Sequence, residues 1–179
     1  MAQPAKTSDL SVLRPITRMY AESDGIPNSP SLPALIVPGA VQAGQSGAAI
    51  IALLASNRWG GNWQSTVFDY QHYHPNSHET LIVASGHAEI QLGGASGDVF
   101  EVSEGDAIVL PAGTGHRRLG GSSDFSVCGG YPRGQENYDI VRAGAIPMEQ
   151  ALQQIAHVPI PNACPIFSET GPLMAAWMR

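Results

Sequence analysis

The segment His72-Tyr73-His74-Pro75-Asn76-Ser77-His78-Glu79 carries three imidazoles and a carboxylate within eight residues. In an extended chain side chains alternate between faces, so His72 and His74 project to one side. Phe68 and Tyr70 have the same parity, and a strand is expected over Val67–His74 with these four residues on one face. Two imidazoles closing an apolar face need a partner where they are buried. The next strand, expected over Glu79–Ala84, offers one. An inward Glu79 also turns Leu81 and Val83 inward, which favours it. A slip of one residue would turn His78 inward instead, so His78 stays as the alternative.

Further along, Gly105, Pro111, Gly113 and His116 form a second cluster. Segments rich in β-formers follow at about 8–12 residue spacing, at His87–Leu92, Val99–Ser103, Ala107–Leu110, Gly115–Leu119 and Phe125–Cys128. Ser85-Gly86, Gly93-Gly94, Glu104-Gly105 and Gly120-Gly121 supply turns between them. In 87–92 the alternation turns Ala88, Ile90 and Leu92 inward and leaves His87, Glu89 and Gln91 in solvent. This is the pattern of an all-β sandwich or barrel. A small barrel brings donors from neighbouring strands to one interior point, as a mononuclear metal site requires.

Outward from this centre the chain changes character. Residues 1–33, broken by Pro15, Pro27, Pro30 and Pro33, read as an extended arm, and 34–140 as the barrel, opening with the short strand Ala34–Val37. A helix is expected over Ala48–Ser56, an apolar run of helix formers. Residues 141–179 read as a tail packed on the barrel, with a helix where Met148, Leu152 and Ile155 recur. Trp59 and Trp63 either pack the arm onto the barrel or line its mouth.

Charged residues are 13% of the chain, and nine basic against fifteen acidic side chains leave a formal charge of −6. No basic stripe exists to neutralise phosphates, so nucleic acid is not expected as a partner. The longest apolar run, Ala48–Ala55, is far short of the ~20 residues of a bilayer span. The N-terminus has no apolar signal core, and Cys128 and Cys164 define no disulfide framework. A cytoplasmic, reducing location is the expectation. Neither a phosphate-binding glycine loop nor a nucleophile elbow is present.

The spacings H-x-H-x4-E-x6-G (72–86) and G-x5-P-x-G-x2-H (105–116) resemble the two motifs of the cupin superfamily. Thr66 and Gly120 depart from its usual Gly and Asn. A narrower resemblance, to YjlB-type cupins, rests on Ser23-Asp24-Gly25-Ile26-Pro27-Asn28, Trp59, Trp63, Tyr70–His74, Leu92-Gly93-Gly94, Gly113–His116, Gly130-Tyr131-Pro132, Gly134-Gln135, Gly171-Pro172-Leu173 and Trp177. Members of that group often carry His where this chain has Gln71.

The resemblance implies an RmlC-like jelly roll, the double-stranded β-helix. It also implies one divalent transition metal, Fe(II), Mn(II), Ni(II), Co(II) or Zn(II), held by His72, His74, Glu79 and His116. The expected function is a mononuclear metalloenzyme acting on a small polar or anionic molecule, with dioxygenase-type oxidation ahead of isomerisation or decarboxylation. The alternative is a non-catalytic binding module with a structural or sensing site. Arg118, two residues beyond His116, is either a clamp for a substrate anion or a charge at the strand's wet end. Tyr70 is either a catalytic phenol or a packing residue. Cupins commonly pair, so a homodimer is expected, with the arm lying along its own barrel or a neighbour's.

Overall fold

The computed structural model describes residues 1–178. Its strands are β1 (Ile16–Arg18), β2 (Ala34–Val37), β3 (Trp59–Ser65), β4 (His72–Tyr73), β5 (Glu79–Ser85), β6 (His87–Leu92), β7 (Asp98–Ser103), β8 (Ala107–Leu110), β9 (His116–Gly121), β10 (Ser126–Pro132) and β11 (Val141–Arg142). The helices are α1 (Gly47–Ser56), α2 (Met148–Ala156) and α3 (Pro172–Trp177). Two antiparallel sheets result, one in the order β1-β2-β8-β5-β10-β3 and the other β11-β4-β9-β6-β7.

The period-2 pattern assembles the core between these sheets. Leu81 and Val83 of β5, Ile90 and Leu92 of β6, Ile108 and Leu110 of β8 and Val127 of β10 form one cluster. The opposite parity of the six-stranded sheet is also apolar: Leu35, Val37, Ile82, Val109 and Cys128 pack under Ile50, Leu53 and Leu54 of α1 and Leu173 and Trp177 of α3. That explains why β2, β5 and β8 read as nearly unbroken apolar runs. The two cysteines are free and buried.

Ser46 caps α1, its side chain accepting from the Ala49 N–H at 3.2 Å. The arm adds β1 to β2, with Ile16 opposite Ile36 and Arg18 opposite Ala34. Asn28 anchors it, donating to the Ala21 and Gly93 carbonyls (2.7 and 3.1 Å) and accepting from the Gly115 N–H at 3.1 Å.

The expected strand over Val67–His74 is not continuous. A bend at Asp69–Tyr70 breaks it, and only His72–Tyr73 belongs to a ladder, with His72 opposite His116. Strand β3 runs through Gly60-Gly61, and helix α3 starts at Pro172. Gln91 is buried, not solvated, because Arg117 Nε–H donates to its Oε1 at 2.8 Å and its own amide donates to the Ala95 carbonyl at 3.0 Å.

Candidate metal centre

His72 on β4, His74 just beyond it, and His116 at the start of β9 are all buried, and one ring nitrogen of each lies within 4.8 Å of the other two. These three can hold a metal ion. Each Nδ1 faces a backbone carbonyl: His72 that of Tyr70 (3.0 Å), His74 that of Asp139 (2.7 Å) and His116 that of Thr114 (3.0 Å). A carbonyl oxygen only accepts, so each Nδ1 carries a proton, and in the neutral ring each Nε2 presents its lone pair.

Glu79, at the start of β5, meets them. Its Oε2 lies 3.1 Å from both His74 Nε2 and His116 Nε2. Its Oε1 accepts from the Tyr131 hydroxyl at 2.9 Å, and that oxygen accepts from the Trp63 indole N–H at 2.9 Å. Two imidazoles and a carboxylate thus meet at one place inside the protein, where their lone pairs need a proton or a metal cation among them.

The groups differ in how they hold protons. Burial, then the neighbouring His116, pushes His72 down to about 3, so it stays neutral. Burial also opposes charge on His74, yet Glu79 outweighs it and raises this imidazole above its ordinary value. Glu79 is held well below the usual carboxylate range: burial would raise it, but His74 and His116 win. Burial, then the Glu79 charge, pushes the Tyr131 phenol upward, so it keeps its proton and donates.

His78 lies on the other side of β5. Its ring packs against Trp177 at 4.7 Å between centroids and its Nδ1 accepts from the Ala112 N–H at 2.8 Å. Burial lowers it to about 4.

A cavity of about 200 Å³ opens beside the cluster. His72, His74, Glu79 and His116 form one end, and its walls include Trp63, Val67, Leu81, Tyr131 and Tyr138. Phe68 and Ile140 also line it while remaining 44% and 48% exposed, so they mark the mouth. Gly129 makes room for one wall: a Cβ there would lie 2.2 Å from the Trp63 ring.

Tyr70 does not line this cavity; its ring lies between Phe68 (4.9 Å) and the Arg142 guanidinium (3.7 Å). Nor does Arg118, whose Nε–H goes to the Val67 carbonyl at 3.4 Å. Tyr131 and Tyr138, stacked at 3.8 Å, belong to the site although spacing did not single them out as site residues. The sequence signal for Tyr131 was its place in Gly130-Tyr131-Pro132.

Two facing sheets with imidazoles at one end of the enclosed space define a class, and comparison supports it. A family model described as Cupin domain matches residues 64–119. The chain belongs to the cupin family. Over 163 residues it is 36% identical to the uncharacterized protein YjlB of Bacillus subtilis (strain 168), an alignment covering 91% of this chain and 96% of that protein.

Solved structures of similar fold are more distant. A conserved protein with a double-stranded β-helix domain from Klebsiella pneumoniae subsp. pneumoniae MGH 78578 is 18% identical, with a TM-score of 0.36, over 73% of this chain and 80% of that one. Oxalate decarboxylase of Bacillus subtilis is 17% identical, with a TM-score of 0.34, over 70% and 30%. The DMSP lyase DddQ of Ruegeria pomeroyi DSS-3 is 17% identical, with a TM-score of 0.38, over 75% and 53%.

Proposed function

We propose that this cupin is a mononuclear metalloenzyme in which His72, His74, His116 and Glu79 hold one divalent transition metal, and that it oxidises a small molecule chelated there, using O₂. The convergence of the three imidazoles, with Glu79 Oε2 against two of them, carries the reading. Two donors at right angles, each about 2.2 Å from an ion, are about 3.1 Å apart. That is the separation of Glu79 Oε2 from His74 and His116. The metal would supply Lewis acidity and a binding place for substrate and O₂. The chain's own work is to fix the tautomers through three carbonyls, hold Glu79 through Tyr131, and keep water away with the walls around Leu81 and Trp63. An adjoining cavity is what a catalytic site needs and a closed structural site does not.

Elemental analysis of protein purified without added metal, followed by O₂-uptake assays on the loaded chain, tests this. The expected result is about one redox-active ion per chain, lost in His72→Ala, with Glu79→Gln retaining more metal than turnover. One tetrahedral zinc per chain with no site for an added ligand would establish the structural alternative instead.

A further inference from the structure

Resting on that metal reading, we infer the substrate class: a molecule with a monoanionic chelating head and an uncharged, largely apolar body of about one ring. Charge decides the head. Glu79 is the one charged side chain among the described residues lining the cavity; no Lys or Arg lines it. Nearby guanidiniums are engaged elsewhere, Arg117 on Gln91, Arg118 on the Val67 carbonyl and Arg142 on the Tyr70 ring. A divalent ion with Glu79 leaves one net positive charge. A monoanionic head, such as an enolate, hydroxamate or thiolate with a neighbouring donor, brings the enclosed site to neutrality. A dianion would leave a negative charge among apolar walls with no cation to meet it, which burial penalises heavily.

Volume and lining decide the body. The space is about 200 Å³, and an apolar cavity of about 150 Å³ holds benzene. Trp63, Val67, Leu81 and Tyr138 give it a mostly apolar wall, and the entrance continues that character. Phe68 and Ile140 stay exposed there, where a polar substrate would gain nothing from them. The anionic character expected from sequence is kept in the head, while Arg118 does not line the cavity to meet it and the walls suit an apolar body.

The test uses the full chain loaded with Co(II), whose visible spectrum reports a ligand entering the metal's coordination sphere. Benzohydroxamate, acetohydroxamate and oxalate are titrated as an aromatic monoanion, a monoanion without the body, and a polar dianion. Benzohydroxamate is expected to bind at least tenfold more tightly than either of the others. In Phe68→Ser and Ile140→Ser, at rim positions whose exposure spares folding, its advantage over acetohydroxamate should shrink severalfold. Equal affinities, oxalate binding tightest, or no spectral response from a chain that holds Co(II) overturns the inference alone. A chain that takes up no Co(II) overturns the metal reading and the inference with it.

Discussion

Tyr131 holds one oxygen of Glu79 and leaves the other to face the imidazoles. Removing that hydroxyl in Tyr131→Phe keeps the ring stack on Tyr138 while freeing the carboxylate to turn. Metal affinity should fall by roughly tenfold or more, as for other groups that orient a ligand, and chelator competition measures it. Unchanged affinity would show that Glu79 is held by something else. Protons report on the same residues. With His72 at about 3, that ring has no proton to release at neutral pH. Metal uptake between pH 5 and 7 should therefore release fewer than three protons, counted calorimetrically in buffers of different ionisation enthalpy. His78 titrates on the opposite face of the sheet. Its folded value near 4 lies below the ordinary 6.5, so the unfolded chain binds its proton more readily. Its contribution is complete above about pH 6.5 and is lost as pH falls toward 4, on the order of 3 kcal/mol in all. Urea unfolding of metal-free protein should lose that part of its pH slope in His78→Gln, and an unaltered slope would refute the assignment.

Among the elements, the strands that alternate cleanly were legible from the residues. His87–Leu92 and Ala107–Leu110 have the bounds expected of them, since apolar parity and glycine turns determine both their existence and their register. Strand β3 was not legible. Gly60-Gly61 reads as a break, yet pairing with β10 supplies the order those glycines lack, and Trp63 is thereby carried to the cavity. The His72/His74 pair was visible by parity, whereas the bend at Asp69–Tyr70, which takes Tyr70 away from the cavity, has no local signature. The arm was legible from its prolines and its place along its own barrel was one of the two expected, but how it is anchored was not. Its anchor, Asn28, has a left-handed backbone (φ 51°) and bonds three separate segments. Asn28→Ala should cost about 3 kcal/mol in urea unfolding, because buried backbone groups of Gly93 and Gly115 lose their partners. A loss under about 1 kcal/mol would mean the arm is held elsewhere.

For the molecule as a whole, the position of β1 matters most. It completes the edge of the six-stranded sheet beside β2, whose four residues are all buried. No described helix is long and apolar enough to cross a membrane. Deleting residues 1–18 would leave the β2 backbone edge open, and open edges recruit other strands. Light scattering should show the shortened chain associating at concentrations where the full chain does not. Identical particle masses for both would show that the edge is protected by other means.

The carbonyls of Tyr70, Thr114 and Asp139 have one more consequence. Every amino acid brings a main-chain oxygen, so the side chains at these three positions can drift without disturbing which nitrogen of each ring stays bare. These three contacts by themselves therefore set no demand on the side chains that carry them, and substitutions there would leave the bare nitrogen of each ring unchanged.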